Sequence, residues 1–167
     1  MATEDVLSGV LTNRDATPIT FSRGALAGGV IHRAIGTVEA AVADVGSTYR
    51  MCQIPSNAVN PRVFLSNDAI STAGAVNIGI YDTTLNGSAV VDADHFASAV
   101  ACTSAQKNTE VTHESAVFGI EDVEKPLWEA LGLAEDPKKD YDVVITTSTA
   151  FQGAGTLSLV VEYTTNQ

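Results

Sequence analysis

Basic residues are scarce in this chain: nine Lys and Arg stand against twenty Asp and Glu, for a formal net charge of −11. Such a chain repels a phosphate backbone and lacks the basic footprint that nucleic-acid binding requires, so no nucleic-acid partner is expected. Charge of either sign is thin, at 17% of residues against a usual share of about 25%. Thr, Ser and Asn supply the polarity instead, and with 45% hydrophobic residues the composition is that of a β-rich globular chain and not of a disordered one.

Cysteine is nearly absent. Cys52 and Cys102 stand fifty positions apart with no C-x-x-C or His-linked spacing, which excludes a recognisable zinc or thiol redox motif. Buried free thiols are expected, since unpaired Cys behaves as a small hydrophobe; a Cys52–Cys102 disulfide is the alternative. No stretch approaches the roughly 20 apolar residues of a membrane-spanning helix, so no membrane partner is expected. The start, Met1 to Asp5, is acidic and lacks the basic region and apolar run of a signal peptide, so synthesis and folding in the cytoplasm are expected.

Catalytic signatures are missing as well. There is no P-loop, G-x-S-x-G, H-E-x-x-H or dinucleotide fingerprint, and Gly24 to Gly29 has neither the spacing nor the following Lys-Ser/Thr of a phosphate loop. Asp92, Asp94 and His95 have the chemistry of metal ligands, but an aspartate cap and a second acid at a helix start serve stability alone, and no metal or other cofactor is expected. His113 and Glu114 are adjacent, so on a strand they point to opposite faces and do not form a base with its orienting acid. Asp136 to Asp142 lacks the spacing and central glycine of a calcium loop and reads as a solvated loop.

What is present is alternation. At 167 residues the chain is long enough for one core. Residues 1–36 show no sustained period and are broken by Pro18, Gly24, Gly28 and Gly29, so an extended N-terminal arm or a pair of edge strands is expected there, followed by a β-sandwich domain over 37–167. Strands are expected at Thr37–Asp44, Thr48–Ile54, Arg62–Leu65, around Val76, Ile78 and Ile80, at Tyr141–Thr149 and at Thr156–Thr164. Pro55-Ser56-Asn57 and Asn60-Pro61 separate the second from the third. Leu85-Asn86-Gly87-Ser88 is a hairpin turn, because Asn and Gly accept positive φ.

Two short helices are expected to interrupt the strands. Asp92 is placed to cap Ala93–Ala99, with Phe96 and Val100 four apart on one face. Pro126 suits the first helical position and Gly132 a left-handed stop, with Leu127 and Leu131 sharing the face between them. Trp128, the single tryptophan, is expected to plug an end of the core. Seven or eight short strands with two helical excursions make an all-β, antiparallel sandwich of jelly-roll type.

Several segments carry a resemblance. The run Val91-Asp92-Ala93-Asp94-His95-Phe96-Ala97-Ser98, then Lys125 to Leu133 with Asp136-Pro137, and the opening Gly9-Val10-Leu11 with Asn13 to Pro18, resemble a family of tailed-phage virion proteins similar to capsid decoration or cement proteins. The resemblance implies a jelly-roll-like body on the capsid exterior that clamps subunits of the major capsid protein and acts as a homodimer or homotrimer. The matching segments are scaffold features, and no functional residue travels with them. Arg14, Arg23 and Arg33, in the irregular first part of the chain, are the candidate capsid contacts. The competing readings are a minor head, neck or tail component, a carbohydrate-binding host-adhesion module, for which ten aromatics are few, and, least supported, an enzyme.

Overall fold

Two-residue alternation builds most of the body, as a computed structural model covering residues 6–165 shows; Met1–Asp5 and the last two residues of the expected domain lie outside the described residues. The strands are β1 (Ile31–Ala40), β2 (Thr48–Pro55), β3 (Val59–Asn67), β4 (Ala75–Asp82), β5 (Val90–Ala101), β6 (Gln106–Glu110), β7 (Asp140–Thr149) and β8 (Gly155–Thr164). Two short α-helices accompany them, α1 (Gly9–Asp15) and α2 (Leu127–Ala130). Along β8 the pattern is regular: Leu157, Leu159 and Val161 are buried, while Thr156, Ser158, Val160 and Glu162 face outward. One face of a pleated strand has met a core.

The pairing is that of one long hairpin. β4 pairs antiparallel with β5 across the Leu85–Ser88 turn, where Gly87 adopts a φ of 94°. β3 then pairs with β6, β2 with β7 and β1 with β8, all antiparallel. Rolling that hairpin onto itself gives two four-stranded sheets, β1-β8-β3-β6 and β2-β7-β4-β5, which is the jelly roll expected from strand count. The core lies between them, with Val63, Leu65 and Leu159 from the first sheet against Ile78, Ile80 and Ile145 from the second, all at 0% exposure. On one side the two sheets meet closely: a Cβ at Gly36 on β1 would overlap the Met51 backbone of β2.

Three expectations are corrected. Residues 93–99 are not a helix capped by Asp92 but part of β5. A spacing of four, as between Phe96 and Val100, is two strand periods as well as one helical turn, and pairing with β4 decided the matter. That strand is bulged: four residues of β5 separate Asp92 from Ala97, whose partners Ile80 and Ile78 on β4 are separated by Gly79 alone, and the extra chain doubles over this glycine. Pro61 does not separate strands but sits inside β3, at a register shift between Val59 and Arg62, one of the few places a sheet admits proline. The last residues of the 1–36 segment form an edge strand, one of the two readings given for it: Ile31 already pairs with Thr164, and β1 lies at the edge of the first sheet. Finally, the core is closed near α2 by fully buried Leu127, whereas Trp128 is only partly buried and lies outside the core cluster.

The second helix stands otherwise as expected. It runs Leu127–Ala130, with Pro126 one position earlier than expected, as the extended cap residue and not the first helical one; Gly132 turns left-handed at φ 76°, and Leu131 packs on the core. Backbone hydrogen bonds from Leu127 to the Ala58 carbonyl (2.8 Å) and from Trp128 to the Ser56 carbonyl (3.0 Å) dock it on the β2–β3 turn.

Candidate interaction surfaces

The segment before β1 is held to the body at few points. Ser8 accepts a hydrogen bond from the Leu11 N–H (3.4 Å) and so caps α1, a seven-residue helix with no buried side chain. Asn13 then ties the following turn through Thr20 (3.1 Å) and Ser22 (3.3 Å). Further on, the Thr164 hydroxyl donates to the Ala25 carbonyl (3.2 Å) and Arg23 approaches Glu129 of α2 at 3.8 Å. Between these ties the apolar side chains face out: Phe21 is 92% exposed, Val6 80% and Ile19 66%, with Leu7, Leu11 and Val30 also exposed. Six large apolar residues within 25 positions form the kind of apolar surface that marks docking.

The three arginines expected to make contacts do not converge. Arg14 pairs with its neighbour Asp15 on α1, Arg23 with Glu129, and Arg33 with Glu162 on the outer face of the first sheet. What the first part of the chain displays is apolar surface, with its cations already paired. The signal in the sequence was the presence of Val6, Leu7, Leu11, Ile19, Phe21 and Val30 in a stretch with no period that could bury them on one face.

The outer face of the first sheet is ordered in rows across the strands. Ile35, Val160 and Phe64 stand side by side on β1, β8 and β3. Next to them Arg33 pairs with Glu162 and Glu162 lies opposite Arg62, which reaches diagonally to Glu110 of β6, itself opposite Phe64, through two contacts of 3.1 and 2.9 Å. On the other side Thr37 bonds Ser158 (3.0 Å), and the Asn108 N–H donates to Ser66 (2.9 Å). The Arg62 guanidinium holds the Glu110 carboxyl below its ordinary range and also lies 5.1 Å over the Phe64 ring. A hollow of about 260 Å³ opens here, lined by Arg33, Phe64, Asn108, Val160 and Glu162.

One further titratable cluster reaches into the core. Asp92, freed from any capping role, accepts from His95 Nδ1 at 3.0 Å, while His95 Nε2 is buried without a partner. The imidazole is 1% exposed and packs against Phe96 and Phe118 at 5.0 and 5.6 Å between ring centroids. Burial pushes its pKa below the ordinary value, against the opposing pull of Asp92. Asp94 is not drawn into a ligand set, and among the described residues no three His, Cys, Asp or Glu side chains gather around a metal position. His113 and Glu114 lie in the turn after β6 and not on a strand, and they bond separate partners: His113 bonds the Phe118 carbonyl (2.8 Å), and Glu114 accepts from the Ser98 N–H (2.6 Å).

Both cysteines are free thiols, Cys102 buried and Cys52 partly so. Burial raises them to about 11 and about 12 respectively, with Asp142 adding to the rise at Cys52, so neither has the thiolate character of a reactive site.

No family model and no curated protein matches the chain. Among solved structures, a chain of the cyanophage Pam1 capsid asymmetric unit superposes with a TM-score of 0.53 at 15% identity, over 82% of this chain and 86% of that one. A chain of the acidic stable capsid structure of Helicobacter pylori bacteriophage KHP30 matches with a TM-score of 0.39 at 15% identity, over 83% of this chain and 90% of that one. The first of these likenesses shows a shared fold.

Proposed function

We propose that this protein is a structural component of a phage virion, a decoration or cement protein that binds the outer surface of the capsid and stabilises the lattice of the major capsid protein. The observation that carries the reading is the exposed apolar segment ahead of β1, attached to a jelly roll of the same fold as a chain from a phage capsid. An adapter of this kind needs a rigid body and a strap with surface to bury. A ligand that binds the assembled lattice better than free subunits stabilises the lattice by linkage, and repeated copies add avidity. The acidic charge keeps the free protein soluble and off the packaged DNA. The His95 imidazole, packed against Phe96 and Phe118 with 1% of its side chain exposed, offers no base to a bound substrate, which fits a non-catalytic role.

The test has two arms. Quantitative mass spectrometry of purified virions should find this chain in hundreds of copies per particle; a handful would assign it to neck, tail or baseplate, and none would remove it from the virion. Capsids stripped of the protein should rebind the intact chain and not the Phe21→Asp variant, whose folded body should unfold at the same temperature. Undiminished binding by that variant would reject the strap as the contact.

A further inference from the structure

We infer that the open edge of β1, over residues 31–35, takes up an extended segment of the major capsid protein as a further strand of the first sheet. This engagement rests on the reading of the chain as a capsid-binding protein and adds a second contact beside the strap. A strand at a sheet edge leaves a row of backbone N–H and C=O groups unpaired, and folded proteins blunt such edges with bulges, proline, lysine, short length or a covering loop. Four strands end the two sheets here, β1 and β6 in one, β2 and β5 in the other.

Three of the four carry those devices. β5 has three register shifts against β4 and is covered by the loop that follows β6, whose Ser115 and Phe118 N–H groups bond the Phe96 (3.2 Å) and His95 (3.1 Å) carbonyls. β6 is five residues long, holds Lys107 and turns Asn108 to a φ of 50°. β2 is bulged between Arg50 and Cys52 and ends in Pro55. β1 has none of these. Its ten residues pair with β8 without a register shift, and neither proline nor lysine is among them. Its two charged side chains are drawn across the sheet toward β8, Arg33 to Glu162 (3.0 Å) and Glu39 to the Thr156 hydroxyl (2.9 Å). Among the described residues, no backbone hydrogen bond reaches β1 from any segment but β8. At Gly36 the strand meets the Met51 backbone of β2, so the open stretch is residues 31–35, about 17 Å of strand.

The surroundings of this edge say what covers it. Ile31 and Ile35 are 68% and 60% exposed on the outer face, where a neighbouring strand would bury them against its own side chains. The strap runs straight into the edge: exposed Val30 directly precedes Ile31, so the apolar surface of strap and edge is continuous. Residues 6–40 hold three arginines against Asp15 and Glu39, in a chain of net charge −11. Strap and edge together therefore approach another protein without the excess of negative charge carried elsewhere. A subunit that meets the strap is placed to meet the edge. Strand addition draws its affinity from main-chain hydrogen bonds and its selectivity from alternate side chains, so the fitting segment is extended, with apolar residues recurring on one face.

Amide hydrogen exchange of the full chain, free and bound to capsids stripped of it, reads an added strand directly. In the free protein the amides of residues 31–35 that point away from β8 should exchange fast, and on the capsid they should slow by at least about 100-fold. Slowing confined to the strap would overturn the added strand and leave the proposed function standing, whereas no binding to capsids would overturn both. Amides of this stretch already slow in the free chain, through pairing with a second copy, would overturn it as well. The double variant Ile31→Lys, Ile35→Lys sets the usual lysine guard on the edge at two exposed positions. It should melt with the wild type and bind capsids at least about 10-fold more weakly; undiminished binding would overturn the assignment of this edge.

Discussion

Phe118 lies in no helix or strand, yet its side chain is 0% exposed, and the structure makes it the anchor of the segment between β6 and α2. Its ring stacks on His113 at 5.4 Å and packs edge-on against Phe96 at 5.7 Å, with His95 on a third side. Its N–H bonds the His95 carbonyl (3.1 Å), and Ser115 bonds the Phe96 carbonyl (3.2 Å), so the loop is zipped to β5 by backbone as well as by ring. Phe118→Ala leaves those backbone bonds and removes the ring. Truncating a buried Phe costs about 3–5 kcal/mol in transfer and cavity terms, against a total of about 5–15 kcal/mol for an ordinary domain. For a chain of this length, about 2–4 °C per kcal/mol makes the expected fall in Tm about 6–20 °C. Urea unfolding followed by the fluorescence of the single tryptophan, Trp128, should show a lower midpoint at unchanged slope. A loss under about 1 kcal/mol would show that the loop collapses into the vacated space and would refute the anchoring argument.

Stability should fall with acid earlier than carboxylate titration alone explains. The unfolded chain takes up a proton at His95 near 6.5, whereas burial holds the folded pKa below that value. The His95 contribution is therefore complete above about 6.5 and is lost as pH drops through the folded pKa, with the proton arriving at an Nε2 that has no acceptor. Urea midpoints at pH 7.5, 6.5 and 5.5 should decline for the wild type and flatten for His95→Gln; parallel curves would refute the assignment. Gly36→Ala should cost at least about 1–3 kcal/mol, because its Cβ meets the Met51 backbone, which has no rotamer to change. Gly24→Ala, with open space around it, should leave the melting temperature unchanged, and equal effects at the two glycines would contradict the close meeting of β1 and β2. Ellman titration at pH 8 should label neither Cys52 nor Cys102 in the folded protein and both in denaturant, since both thiols sit well above that pH; rapid native labelling would place a thiol at the surface.

The sequence by itself determined the fold class, the strands in which large apolar residues recur at every second position (β4, β7 and β8), the Leu85–Ser88 turn and the stop at Gly132. Each of these is a local pattern that a backbone with period two, or a residue able to take positive φ, imposes wherever it occurs. What the tertiary structure alone decided is whatever depends on a partner distant in the chain. The segment around Phe96 carries a spacing common to helix and strand, and it became a strand only because β4 offered an edge. Strand β6, Gln-Lys-Asn-Thr-Glu, has no apolar residue to announce it and exists by pairing with β3. The ion pairs on the outer face of the first sheet join positions as far apart as Arg33 and Glu162, and no local period records which strands become neighbours. The exposure of Phe21 and the burial of Phe118 are likewise outcomes of docking. A hydrophobic side chain specifies that it gains by leaving water, and only the assembled sheets decide whether a place exists for it.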